Sequence, residues 1–160
     1  MARLYGVDIH STGNRNPGAA NVFRTVGRVQ GIAVYLADVL TAALVIFLVG
    51  LLPYSDYCRL AGAVMVMIGT AYPIFWGFKG GTGLAKGMGV VMAVNPVSFF
   101  LGVPVGLLVL WKFRNTGWAG ALAVFTASIL TATVYGDMFG LGIIVMVAAL
   151  IFARARIQYR

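Results

Sequence analysis

The chain has 160 residues, of which 61% are hydrophobic and 10% charged, with a mean hydropathy of +0.92. A soluble domain carries about 25% charged residues, so there is too little polar surface here to cover a water-soluble globule. The net charge is +8, from 12 Lys and Arg against 4 Asp and Glu; in so apolar a chain this points to a cytoplasmic loop bias or to anionic substrates and lipids, not to nucleic acid.

Residues 1–30 are polar, basic and rich in Gly and Asn. The first apolar run begins near Gly31, too late for the h-region of a signal peptide. From Gly31 to Leu52 the chain is apolar with a single charge, Asp38. At 1.5 Å per residue this stretch crosses a hydrocarbon core of about 30 Å. Pro53-Tyr54-Ser55-Asp56 reads as a turn, and Arg59 to Phe78 as a second span. Lys79-Gly80-Gly81-Thr82-Gly83 is a loop. Leu84 to Val94 is a short apolar segment, broken at Asn95-Pro96 because the residue before a proline disfavours helix. Val97 to Trp111, Trp118 to Tyr135 and Met138 to Ala153 complete the pattern. The sole cysteine, Cys58, permits no internal disulfide and reads as a small apolar residue at a helix start.

Charge placement favours six segments over five. With the N-terminus inside, the inside loops hold Arg3, Arg15, Arg24, Arg28, Lys79, Lys86, Lys112, Arg114, Arg154, Arg156 and Arg160, and the outside loops only Arg59. That is a strong positive-inside pattern. The expectation is an all-α, polytopic membrane helical bundle with about six transmembrane segments and both termini cytoplasmic. It forms a single domain over 1–160, with 1–30 as a polar cytoplasmic segment. Glycines four apart (Gly27/Gly31, Gly83/Gly87, Gly102/Gly106, Gly136/Gly140) suit close helix packing in lipid.

Two loops on the basic face have the parts of anion cradles. The first runs from Gly13 to Arg24. Its glycines let backbone N–H groups converge on an anion, Asn16 and Asn21 add side-chain donors, and Arg24 supplies a planar fork. The second runs from Phe78 to Lys86. It is not a P-loop, but it combines glycines, a hydroxyl and lysines with a helix N-terminus near Gly83. Either loop alone also reads as an ordinary polar turn. Together they could hold two phosphate groups.

At these loops the sequence resembles the bacterial acyl-phosphate:glycerol-3-phosphate acyltransferases, the PlsY family. The first family motif, approximately G-S-G-N-P-G-A-T-N-V-x-R, stands here as Gly13-Asn14-Arg15-Asn16-Pro17-Gly18-Ala19-Ala20-Asn21-Val22-Phe23-Arg24. The second, approximately G-H-x-[FY]-P-x-F-x-x-F-K-G-G-K-G-V-A-T, stands as Gly69-Thr70-Ala71-Tyr72-Pro73-Ile74-Phe75-Trp76-Gly77-Phe78-Lys79-Gly80-Gly81-Thr82-Gly83-Leu84-Ala85-Lys86. The resemblance implies transfer of a fatty acyl group from acyl phosphate to glycerol 3-phosphate, giving lysophosphatidic acid and phosphate. It implies an enzyme of the cell membrane, active on its cytoplasmic face and in contact with membrane lipids; a monomer without a cofactor is expected, and no metal, since the sequence has no His/Cys/Asp/Glu cluster. It puts Arg24, Lys79 and Asn14 in the chemistry. Asn16, Gly18, Asn21, Arg24, Lys79, Gly80, Gly81 and Gly83 would hold phosphate.

Departures from the family pattern are several. The motif serine is Asn14 and the motif threonine is Ala20. In the second motif the histidine is Thr70, the second lysine Thr82 and the threonine Lys86. The family's D-x-x-K-G in the first span reads Asp38-Val39-Leu40-Thr41-Ala42. A third motif, roughly H-x-x-N-I-x-R, falls at Ala153 to Tyr159 with Ala153 and Arg156 in place of the histidine and asparagine. Loss of one positioned acid–base group costs about 10²–10⁴-fold in rate. An impaired relative that binds acyl phosphate or anionic lipid is therefore the alternative reading. A small transporter subunit would need embedded charges lining a path. Only Asp38 qualifies, and pairing with Arg24 or Arg28 inside the bundle is expected for it. The sole histidine, His10, stands where the family has an arginine. The family's first helix is missing, and a truncated or misassigned start is the expected reason.

Overall fold

The computed structural model describes residues 2–113 and 116–158. Arg114 and Arg160, counted in the charge bias above, and Tyr159 of the third motif lie outside the described residues. A 3-10 turn, Ala2–Tyr5, is followed by α1 (Ala19–Thr25), α2 (Arg28–Val49) and α3 (Ser55–Ala71). A second 3-10 turn, Ile74–Trp76, precedes α4 (Leu84–Val94), α5 (Pro96–Phe113), α6 (Thr116–Thr133) and α7 (Met138–Gln158). The six apolar segments read from the sequence correspond to α2 through α7. Four of the spans, Arg28–Val49, Ser55–Trp76, Pro96–Phe113 and Met138–Ile157, are long and apolar enough to cross a membrane. Leu84–Val94 and Ala119–Thr133 are shorter.

One element was not legible beforehand. Ala19–Thr25, read as the end of a polar loop, is a helix. Gly18 opens it in extended conformation, and Ala19 and Ala20 are good helix formers at its first turn. The second span also stops earlier than its hydropathy suggested. Tyr72 stands before Pro73, which excludes the helical conformation, so α3 ends at Ala71.

The exterior is as apolar as the interior. On α2, Val39, Ala42 and Ile46 are buried while Leu36, Leu40, Leu44 and Phe47 are at least half exposed. Water would not tolerate such a face, whereas lipid does. Helices therefore gain little from hiding leucines and pack instead by close backbone approach. A Cβ on Gly89 of α4 would meet the Val39 carbonyl of α2 and, at 2.8 Å, the Ala42 Cβ. Gly102 and Gly106 of α5 lie against the Ala123 and Ala119 carbonyls of α6, so these two helices run antiparallel with a Gly-x-x-x-Gly seam.

Asn95, Ser98 and Thr131 are paired inside the bundle, whereas the buried Nε of Arg154 has no hydrogen-bond partner among the described residues. α4 ends at Asn95, whose Oδ1 accepts the Ser98 N–H at 3.0 Å and so caps α5, with Pro96 at the first helical position. Buried Thr131 of α6 donates to the Ser98 hydroxyl at 3.0 Å. α4 is about 16 Å long at 1.5 Å per residue. It runs parallel to α2 from the end of the bundle that carries both motif loops.

Gly89→Val inserts branched carbons into the α2–α4 seam. Overpacking of this kind costs about 1–3 kcal/mol. Thermal unfolding in detergent micelles should show a lowered midpoint for this variant.

Candidate active site at the loop end of the bundle

The first loop is built around Asn21. Its side chain is 2% exposed and lies at the first turn of α1. Nδ2 donates to the carbonyls of Thr12 at 2.9 Å and Ile9 at 3.3 Å, and Oδ1 accepts the Asn14 N–H at 3.2 Å. An amide has two donors and one acceptor oxygen, so Asn21 is spent on shaping the loop. Gly13, at φ +65°, lets the backbone pass over it; a Cβ there would run into Asn21 Oδ1. Asn14 and Asn16 continue the pattern. Asn14 Oδ1 accepts the Asn16 N–H at 3.2 Å, and Asn16 Oδ1 accepts the Gly18 N–H at 3.1 Å.

Asn16 then reaches the second loop. Its Nδ2 donates to Thr82 Oγ1 at 3.4 Å, and a Cβ on Gly81 would lie 2.7 Å from Asn16 Oδ1. Residues 66 positions apart in sequence are thereby locked together. A side chain at Gly81 would displace the Asn16 amide that joins the loops. The second loop is itself pinned from below. Gly80 N–H donates to the Ala71 carbonyl at 3.2 Å, and Gly80 lies so close to the Thr70 carbonyl that no side chain fits. Arg154 of α7 donates from Nη2 to the carbonyls of Ala71 at 3.2 Å and Gly80 at 3.3 Å, with its guanidinium 4.9 Å from the Tyr72 ring centroid. Gly83, at φ +81°, turns the chain into α4, whose first amides face this loop.

Of the residues singled out by sequence, the structure thus brings Asn14, Asn16, Gly18 and Asn21 together with Gly80, Gly81 and Gly83 at one end of the bundle. Arg24, on the last turn of α1, and Lys79 are both exposed. No contact between them is seen among the described residues. Asp8 closes the turn before the first loop. Its carboxylate accepts the His10 N–H at 3.1 Å, and that bond, then one with Ser11, holds its pKa below the usual carboxylate value. The sequence reading missed Arg154 as a site-building group, while Thr82 is the hydroxyl it counted in the second loop. A basic residue directly after the last apolar span, within the third motif, was the available signal for Arg154.

This geometry can be set beside known proteins. The family profile described as glycerol-3-phosphate acyltransferase matches residues 1–160. The chain belongs to this family. A glycerol-3-phosphate acyltransferase of Geobacter sulfurreducens is 37% identical over 134 residues, covering 81% of this chain and 69% of the relative. One from Geotalea daltonii is 30% identical over 160 residues, covering 100% and 82%. The crystal structure of PlsY, an integral membrane glycerol 3-phosphate acyltransferase, in its glycerol 3-phosphate form, superposes with a TM-score of 0.82 at 31% identity. It covers 97% of this chain and 78% of that one. This acyltransferase is accordingly an integral, multi-pass membrane protein.

Two of its departures from the family motifs meet in space. The first-span lysine is replaced by Thr41 and the second-motif threonine by Lys86, yet Lys86 Nζ lies 3.5 Å from Thr41 Oγ1 and 2.9 Å from Asp38 Oδ1. The ammonium lost from α2 returns from α4. Asp38 therefore pairs with Lys86, and the expected pairing with Arg24 or Arg28 is not formed. Arg28 begins α2 ten residues earlier, about 15 Å down the helix axis, while α4 lies alongside. Both side chains of the pair are 28% exposed. The replaced histidines have no such substitute: Thr70 turns its hydroxyl to the Val66 carbonyl at 2.6 Å.

Two expected outcomes follow from these bonds. Asn21→Asp replaces two donors by acceptors facing the Ile9 and Thr12 carbonyls. A lost buried bond of this kind costs about 1–3 kcal/mol, and limited proteolysis should show faster cleavage within residues 9–16. In a double-mutant cycle, Lys86→Gln and Asp38→Asn should be less than additive in unfolding free energy by about 0.5–1 kcal/mol, the range for partly exposed pairs.

Proposed function

We propose that this chain transfers a fatty acyl group from acyl phosphate to the first hydroxyl of glycerol 3-phosphate at the cytoplasmic face of the cell membrane. It would release lysophosphatidic acid and phosphate for phospholipid synthesis. Glycerol-3-phosphate acyltransferase is the family's shared activity. The observation that carries the finer reading is the interlock of the two loops through Asn16, Gly81 and Thr82. It makes one polar surface at the end of an apolar bundle, flanked by the exposed cations Arg24 and Lys79. Such a surface suits two phosphorylated molecules, one of them carrying a long tail.

In this reading Asn21 and Asn16 shape the cradle. Asn14, Gly18 and Gly80 form its wall, their N–H groups bonded to Asn21, Asn16 and the Ala71 carbonyl, and Gly81, Gly83 and the N-terminus of α4 face the phosphate. Arg24 and Lys79 supply charge to the two phosphates. The hydroxyl oxygen attacks the acyl carbon, the carbon–oxygen bond to phosphate breaks, and phosphate departs with the bonding electrons. The hydroxyl proton passes to the departing phosphate, which suits a site that has exchanged its motif histidines for Thr70 and Ala153. Lys79 offsets the charge that grows on the leaving phosphate. Transfer is direct, with no acyl-enzyme, because no activated serine or cysteine is at hand. The protein works as a monomer whose residues 1–160 form a single domain and whose inward loops carry the positive charge.

The test is turnover of radiolabelled glycerol 3-phosphate by the purified protein, with acyl phosphate, acyl-CoA or acyl carrier protein thioester as the donor. Labelled lysophosphatidic acid is expected with acyl phosphate alone. Lys79→Ala and Arg24→Ala should each lower kcat/KM by about 10²-fold or more, as for removal of a transition-state charge contact, without lowering the thermal midpoint. Turnover with a thioester instead, or variants as active as the parent, would sink the assignment.

A further inference from the structure

The second motif loop leaves α3 by a path that a backbone does not take freely. Gly77, Phe78 and Gly83 have positive φ, at +60°, +62° and +81°. Glycine adopts this conformation readily. For a bulky residue such as Phe78 it is an outlier that persists only where the surroundings enforce it. Lys79 follows directly. Its amide donates to the Trp76 carbonyl at 3.3 Å, the Phe78 amide to Pro73 at 3.0 Å and the Gly80 amide to Ala71 at 3.2 Å. The backbone on both sides of Lys79 is thus pinned, while its side chain stays exposed.

Those bonds are all local to the end of α3 and its turn. An anchor from elsewhere in the fold comes from α7. Arg154 Nη2 donates to the Ala71 carbonyl at 3.2 Å and to the Gly80 carbonyl at 3.3 Å, so one nitrogen ties the end of α3 to the residue after Lys79. The Ala71 carbonyl is among the last four of its helix, which have no intrahelical partner and carry the negative end of the helix dipole. The guanidinium also lies 4.9 Å from the Tyr72 ring centroid, which fixes its place over the turn. Nε, in contrast, is buried and without a hydrogen-bond partner among the described residues. An unpaired buried N–H of a cation is costly. Packing alone therefore does not account for an arginine at this position, whereas the two loop carbonyls do.

We propose that Arg154 is a positioning residue for the acyl transfer: it holds the Phe78–Gly80 corner against the end of α3 and so sets where the Lys79 ammonium stands. The inference rests on the reading above that gives Lys79 to a substrate phosphate. Arg154 acts through Lys79 and not on the substrate, because its Nη2 is engaged by the two carbonyls and its Nε is buried. A lysine in its place would keep the charge but lose the planar group that stacks on Tyr72, and would hold the corner less firmly.

The experiment measures turnover of palmitoyl phosphate with glycerol 3-phosphate in the purified parent, Arg154→Ala, Arg154→Lys, Lys79→Ala and the double variants of Lys79→Ala with each Arg154 change. Arg154→Ala should lower kcat/KM about ten-fold or more, the scale of a lost hydrogen bond to a charged group. In the Lys79→Ala background the same change should cost no more than about two-fold, because the group it positions is gone. Arg154→Lys should show a smaller loss with the same dependence on Lys79, which serves if the alanine variant unfolds. A lysine-specific protease reads the loop directly. Cleavage after Lys79 should quicken several-fold in the Arg154 variants, while cleavage after the exposed Lys112 at the end of α5 should not change. Losses that multiply fully in the double variants, or cleavage that rises equally at both lysines, would show general loosening and overturn the positioning role. A parent protein without turnover would overturn the acyl-transfer reading instead, and the ratio of cleavage at Lys79 to that at Lys112 would still decide whether Arg154 holds the corner.

Discussion

A chain surrounded by lipid must satisfy its backbone polar groups within its own helices, and it gains nothing by hiding one leucine behind another. That constraint organises this protein. Its helices are apolar on every side, so contact between them depends on backbone proximity, as where Gly89 meets Val39 and Gly102 meets Ala123. Irregular backbone is confined to the helix ends. The two motif loops are therefore collected at one end of the bundle, where α1, the second loop and Arg154 of α7 converge.

The loops at that end are held by amides more than by charges. Asn21 ties residues 9, 12 and 14 together, and Asn16 joins that assembly to Thr82. Arg154 spends its guanidinium on two carbonyls of the second loop. Arg24 and Lys79 stay exposed. Shape and charge are thus divided between different side chains. Asn21, Asn16 and Arg154 fix the loop backbones, and Arg24 and Lys79 stand exposed outside that framework.

The Asp38–Lys86 pair shows how a motif can change while its physics persists. A lysine three residues after Asp38 would lie on the same helix. Lys86 comes instead from the parallel α4 and delivers its ammonium 2.9 Å from the same carboxylate. A carboxylate within an apolar span needs a partner, but the partner can come from either helix. No comparable replacement accompanies Thr70 or Ala153, whose histidine-bearing counterparts carried ionisable rings.

Much was legible in the residues alone. Long apolar runs separated by Pro53, the Gly80-Gly81 pair and Asn95-Pro96 dictate membrane helices and their breaks, because hydropathy and proline chemistry act locally. The two motifs named the family, and the glycines there answer to backbone conformation. Contacts between distant segments were not legible. That Ala19–Thr25 coils into a helix, that Asn21 turns inward to shape its loop, that Arg154 braces the second loop, and that Lys86 and not Arg28 meets Asp38 all depend on which helices lie side by side. Hydropathy says only that a segment prefers lipid. The choice of neighbour is made by close backbone packing, which only the folded bundle expresses.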